Sequence, residues 1–230
     1  MDFRKDADLI IKRAIRDVQP DQAVNKALAS LKMPQGRLIV VSLGKAAWQM
    51  AKAAKDVLGD RIDAGVIITK YEHAKGEIEP YRIFEAGHPV PDENSFRGTE
   101  YAADMVGNLS KEDLVIMLIS GGGSALFEIP LCTLEELQDV TRQLLSCGAD
   151  IKEMNIVRKR LSAVKGGKFA KMCYPAHVFA VVLSDILGDP LDMIASGPAY
   201  PDSSTTLMCR AVVEKGGKTQ YPGRHIPSQK

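Results

Sequence analysis

The chain has 230 residues, of which 45% are hydrophobic, 26% charged and 6% aromatic; 30 Lys and Arg against 29 Asp and Glu leave a net charge of +1. This composition excludes a collagen-like repeat, a low-complexity chain and an intrinsically disordered one, and its balanced charge creates no global field toward nucleic acid or a membrane. The length suits one large domain or two small ones, with ample material for a core.

The N-terminal stretch MDFRKDADLIIKRAIRD is charged throughout, without the apolar segment of a signal peptide, and no apolar run is long enough to span a bilayer. Cys132, Cys147, Cys173 and Cys209 are widely separated and form no CxxC pair. The expectation is a cytoplasmic protein with reduced thiols.

In chain order, the first 32 residues read as two helices, with Phe3, Ala7, Ile10 and Ala14 at helical spacing and Pro20 opening the second. Residues 37–43 (RLIVVSL) form a β-branched apolar run of the kind buried parallel strands use. An Ala-rich helix is predicted over Lys45–Leu58, then strands over Ala64–Thr69 and Arg82–Ala86, a helix over Asp92–Leu109 and a strand over Asp113–Ser120. Thr133 and Glu136 make a capping-box pattern for a helix to about Cys147. Asp150 opens another helix through Val164, stopped by Gly166-Gly167. A strand over His177–Ser184 and a helix over Thr205–Glu214 complete the pattern. Strands alternating with helices imply an α/β fold, a parallel sheet with helices on both faces. Residues 214–230 are Gly- and Pro-rich, nearly devoid of apolar residues, and read as an irregular tail after a domain of residues 1–213.

In such a sheet, ligands bind beyond the carboxyl ends of the strands, and four segments there are unusual. Ser120-Gly121-Gly122-Gly123-Ser124 lets backbone N–H groups converge as phosphate oxygens require, although a flexible tight turn has the same composition. Lys45, in the predicted first turn of its helix, is unfavourable to the helix dipole unless an anion sits there too; an exposed surface lysine is the plain alternative. Asn155, Arg158, Ser162 and Lys165 fall on one helical stripe able to clamp phosphate or carboxylate, or to remain a solvated basic face. Asp185 and Asp189 follow the last strand and suit Mg²⁺ or a hydroxyl proton, or simply an Asp-rich turn. His88, in the Pro-stiffened loop 87–95, is a candidate substrate contact. Phosphate cradles, cations and carboxylates together suit phosphoryl transfer.

The segments GKAAWQMAKAA, GHPVPDENS, SGGGSALFE, NIVRKRLSAVKGGKFA and SDILGDPLDMIASGPAYPD occur in this order. As a set, over about residues 1–210, they resemble the MOFRL-containing glycerate kinases (glycerate 2-kinases). The resemblance implies a Rossmann-like three-layer sandwich and an active site in a cleft against a second domain. It implies ATP-dependent phosphorylation of D-glycerate, normally with Mg²⁺, to 2-phosphoglycerate or in some members 3-phosphoglycerate. By position it makes Lys45 the cleft lysine, a catalytic residue contacting substrate or the transferring phosphate, Ser120–Ser124 the ligand loop, and Asn155, Arg158, Lys159 and Lys165 the basic motif. It also places Asp185 and Asp189 in the SD-x-x-GD loop, as catalytic residues, with Asp189 the candidate metal ligand. Arg160 stands where the family motif carries His. Residues after SGPAYPD depart from the family, so the expectation is a truncated chain of low activity whose partner is a missing C-terminal domain or a second copy. The alternative is a non-catalytic nucleotide- or anion-binding module that kept the fold. Neither reading calls for nucleic acid or a membrane.

Overall fold

A computed structural model describes residues 3–184 and 188–215. Its centre is a sheet of β1 (Leu38–Leu43), β2 (Ala64–Lys70), β3 (Tyr81–Ala86), β4 (Leu114–Ile119) and β5 (His177–Val182). The strands pair entirely in parallel, in the order β3-β2-β1-β4-β5. The interior strands β1 and β4 are buried at every position, as their unbroken LIVVSL and LVIMLI runs require.

Nine helices are described: α1 (Phe3–Asp17), α2 (Pro20–Leu28), α3 (Ala47–Leu58), α4 (Glu93–Met105), α5 (Gly123–Leu126), α6 (Leu134–Ser146), α7 (Ile151–Arg160), α8 (Lys168–Met172) and α9 (Thr206–Lys215). Alternation along the strands makes two cores. Leu38, Val40, Ile67, Ile116 and Leu118 pack under α2 and α3, where Ala47, Met50, Ala51 and Ala54 are buried. Ile39, Val41, Leu43, Val66, Ile68, Val115 and Met117 pack on the other face with Ala102 of α4, Leu126 of α5 and Phe169 of α8. Each such aliphatic side chain stabilises the fold by about 1.5–3 kcal/mol relative to exposure. The result is the three-layer, Rossmann-like sandwich that the resemblance implied. A third cluster, Val140, Leu144, Val157, Cys209 and Val212, joins α6, α7 and α9 beside it.

Local signals set most helix starts. Asp92 with Ser95, Thr133 with Glu136 and Asp150 with Glu153 each form a reciprocal capping box. Three boundaries differ from the sequence pattern. Helix α3 begins at Ala47, so Lys45 lies before it in a turn. Helix α4 ends at Met105. Helix α7 ends at Arg160 rather than Val164, because the chain beyond it pairs with another segment: Leu131 N donates to Leu161 O, Ala163 N donates to Ile129 O, and Ser162 bridges Pro130. Ser162 and Lys165 therefore leave the helical stripe on which their spacing had put them. The four cysteines are free thiols. Among the described residues no helix is long and apolar enough to cross a membrane. The tail expected over 214–230 lies outside the described residues from 216 onward.

Candidate active site

Between β1 and β4 the strand order reverses, and the turns after these two strands lie side by side. Gly44, at φ +110°, leads out of β1 against Ser120; a Cβ there would meet Ser120 Oγ at 2.3 Å and its carbonyl oxygen at 2.4 Å. Only glycine allows both this backbone and this approach. Lys45 N then donates to Gly121 O (2.9 Å), and Ala46 N donates to Ser120 Oγ (3.0 Å), whose own proton goes to Leu43 O (3.3 Å). The buried Ser120 hydroxyl thus ties the two turns together. This hydroxyl, expected among the phosphate contacts, is engaged within the protein. The amides of Lys45, Ala46 and Ala47 are all bonded within the protein. An anion here would meet the Lys45 side chain rather than the first amides of α3.

Gly122, at φ +88°, brings three segments together. A Cβ on it would lie 3.0 Å from His88 Cδ2, 3.1 Å from His88 Nε2 and 3.2 Å from Lys45 Cε. Lys45 is exposed and His88 half-buried. Among the described residues, the N–H groups of Gly121, Gly122, Gly123 and Ser124 meet no protein acceptor, and no carboxylate pairs with Lys45. Four unengaged amides beside an exposed ammonium form a surface suited to anionic oxygens. Gly123 serves packing instead: a Cβ would come within 2.6 Å of Ala195 Cβ and of Leu43 Cδ1.

The far end of the loop is braced from below. Ser196 Oγ donates to Asn155 Oδ1 (2.7 Å), so across the 2.9 Å Ser124–Ser196 contact Ser124 is the donor. Arg158 donates to Ser124 O (3.3 Å). Ala195 and Ser196 hold left-handed φ of 52° and 59°, strain that persists only where surrounding contacts over-determine it. Asn155 and Arg158, expected among the phosphate contacts, thus reach the glycine loop through Ser124.

The rest of the basic stretch is engaged internally. Lys165, expected among the phosphate contacts, is fully buried, with Nζ 2.8 Å from Glu128 Oε2 and donating to Phe127 O at 2.7 Å. Burial pulls its pKa down to about 8, against the attraction of Glu128. Lys159 bridges Asp192 (3.2 Å) and Asp202 (3.3 Å). Burial pushes Asp192 and Asp202 up, but hydrogen bonds from Ser203 and from the Ser204 amide, with Lys159 and Arg160, outweigh it and hold both below the usual carboxylate range. Arg160 clamps Asp202 and Ser204. A cavity of about 900 Å³ opens beside this network, lined by Arg160, Gly167, Lys168, Tyr174 and Asp202 but by none of Lys45, His88 or residues 120–124. Lys168 on its wall already donates to Lys159 O and Ser162 O.

Asp185 lies outside the described residues. Asp189 is exposed, at φ 47°, and its carboxylate has no hydrogen bond among the described residues. Among those residues no group of three or more His, Cys, Asp or Glu is arranged to hold a metal ion. Glu128, Ser196 and His73 had not stood out. Glu128 and Ser196 sit inside the motifs SGGGSALFE and IASGP, but nothing in their spacing marks their partners; His73 carries no local signal.

Residues 6–225 match the family described as a domain of unknown function, DUF4147. The matched stretch runs past residue 213. D-glycerate 2-kinase of Thermotoga maritima is 53% identical over 217 residues, 94% of this chain and 52% of that protein. Glycerate 2-kinase of Pyrococcus horikoshii is 40% identical over 226 residues, 93% of this chain and 50% of that protein. The crystal structure of glycerate kinase from Thermotoga maritima superposes with a TM-score of 0.91 at 52% identity, covering 96% of this chain and 53% of that one. The chain belongs to the DUF4147, glycerate kinase family. The motif resemblance and the fold it implied are thereby borne out. The glycerate kinase relatives it matches are about twice as long, so this chain spans about half their length.

Proposed function

We propose that this chain holds the phosphates of ATP at the turn formed by Lys45 and Gly121–Ser124, as part of a kinase that phosphorylates D-glycerate to 2-phosphoglycerate. The carrying observation is the convergence of Lys45 and His88 on Gly122, beside amides that no acceptor among the described residues engages. A side chain at residue 122 would fill that space. Phosphoryl transfer needs positioning and charge neutralisation more than covalent help from the protein. Lys45 supplies a positive charge, the glycine amides orient phosphate oxygens, and His88 faces the same space as a substrate contact. Asn155 and Arg158 act through Ser124, fixing the loop. Mg²⁺, when bound, neutralises phosphate charge; it uses one or two carboxylates with substrate phosphates rather than an all-protein cage. The carboxylate of Asp189, without a hydrogen bond among the described residues, suits that role, with Asp185 as its companion or as acceptor of the hydroxyl proton. A second domain, or a second copy, is the partner proposed to close the cleft.

Calorimetric titration of the chain with ATP and Mg²⁺, and separately with D-glycerate, tests the reading. ATP is expected to bind, and Lys45→Ala to weaken it at least tenfold, about the value of a charge-assisted hydrogen bond, without a change in melting temperature. Absence of ATP binding, or affinity indifferent to Lys45, would overturn it. Phosphoglycerate formed from ATP and D-glycerate, identified by NMR, checks the acceptor hydroxyl; the 3-phosphate as product would refute the 2-kinase assignment.

A further inference from the structure

Lys45 is exposed, and among the described residues its ammonium has no carboxylate partner. Its Cε lies 3.2 Å from where a Cβ on Gly122 would be, and the backbone from which the side chain starts is held from both sides. On one side Lys45 N donates to Gly121 O at 2.9 Å. On the other, His73 Nδ1 lies 3.0 Å from Lys45 O. A carbonyl oxygen only accepts, so Nδ1 carries the proton of this hydrogen bond.

The loop that presents His73 is itself anchored. Glu85 Oε1, on the edge strand β3, accepts from both His73 N and Ala74 N at 3.0 Å. His73 N also reaches Lys70 O at 3.1 Å, and Trp48 Nε1 of α3 donates to Gly76 O at 2.8 Å. The imidazole thus stands on a braced support while holding the Lys45–Ala46 peptide unit from its carbonyl side, opposite the bond from Ala46 N to Ser120 Oγ. The chain of contacts runs from Glu85 through His73 and Lys45 to Gly121, linking the sheet edge to the glycine loop.

We infer that His73 is a positioning residue, which fixes the Lys45 peptide unit so that the ammonium is pre-aimed at the space over Gly122. This rests on the reading of Lys45 as the phosphate-facing cation. Without the imidazole, the Lys45–Ala46 peptide unit keeps only the Ala46 N–Ser120 Oγ bond, its carbonyl loses its partner, and more of the backbone and side chain must be ordered each time an anion arrives.

The test is a labelling rate at one lysine. Pyridoxal 5′-phosphate, a phosphate-bearing aldehyde, condenses with a lysine amine to an imine with loss of water, and borohydride reduces the imine to a stable secondary amine. Mass spectrometry of the peptides then reports the rate at Lys45 in the full chain, with and without ATP. In the wild type, Lys45 is expected to label faster than the exposed lysines Lys52 and Lys111, and ATP to protect it. His73→Ala removes the donor, and His73→Asp sets an acceptor against the carbonyl; both should slow labelling about three- to tenfold, the effect of one lost hydrogen bond. His73→Asn places an amide N–H where Nδ1 stood and should restore the rate to within about twofold. Melting temperatures of the three variants should match the wild type.

Equal rates in wild type, Ala and Asp, with ATP still protecting Lys45, would overturn the role of His73 alone. So would an Asn variant as slow as Ala, or slow labelling that tracks a fall in melting temperature. Unselective labelling of Lys45, or no protection by ATP, would overturn the phosphate-binding reading itself and this inference with it.

Discussion

Lys45 and Lys165 are both lysines beside glycines in motifs shared with the same family, and they do opposite things. Lys45 stands at the sheet rim, exposed, with its peptide unit fastened and its ammonium unpaired among the described residues. Lys165 is fully buried against Glu128 and Phe127 O. The same contrast separates the two regions around them. Among the described residues the glycine turn presents unengaged amides, whereas in the basic stretch from the end of α7 onward Lys159, Arg160 and Lys168 are matched to internal carboxylates or carbonyls. A cation is available to a ligand when the fold supplies no counter-charge for it; basic residue count alone does not distinguish the cases.

Substitution sharpens this contrast most at Lys165. Lys165→Met leaves the buried Glu128 carboxyl without its counter-charge and should cost about 3–5 kcal/mol in denaturant unfolding, where Lys45→Ala should cost less than about 0.5 kcal/mol. Equal costs would dissolve the distinction. The pH dependence carries a sign as well. Because burial depresses Lys165 to about 8, the unfolded chain binds the extra proton between that value and about 10.4, the ordinary lysine pKa. Wild-type stability should therefore rise relative to Lys165→Met across that window, with no further change below it. A flat gap from pH 7 to 10 would mean that the amine titrates normally.

Two adjacent glycines divide in the same way. Gly123→Ala forces a methyl within 2.6 Å of Ala195 and Leu43 and should cost about 1–3 kcal/mol of stability. Gly122→Ala points its methyl at His88 and Lys45. It should cost about 1 kcal/mol for its left-handed backbone and weaken ATP severalfold more than that loss of stability accounts for. If Gly122→Ala binds ATP like the wild type, the open space over residue 122 is not where phosphate sits. The smallest effect serves as a control: Thr133→Ala removes the α6 capping box, with about 1 kcal/mol lost and ATP affinity untouched.

How much of this could be read from the chain follows from the distance over which each feature is decided. The β1 and β4 runs, the Thr133–Glu136 box and the triple glycine are local patterns, and each became the element or turn it announced. The side-by-side placement of Lys45 and the glycine loop followed from a general property of parallel sheets, since both segments leave the carboxyl ends of strands. The stripe through Asn155, Arg158, Ser162 and Lys165 was half right. Its first two members reach Ser124 directly or through Ser196, but α7 ends early because residues 161–163 find partners in residues 129–131.

Amino-acid order alone determined the layer architecture, the helix starts and the segments that meet at the rim, because hydrophobic period, caps and glycine conformations act within a few residues. Only the tertiary structure decided which cations face outward. The fate of a charge depends on whether another part of the chain brings it a counter-charge or a carbonyl, and the partners here are remote: Glu128 for Lys165, Asp192 and Asp202 for Lys159, and His73 for the peptide unit of Lys45.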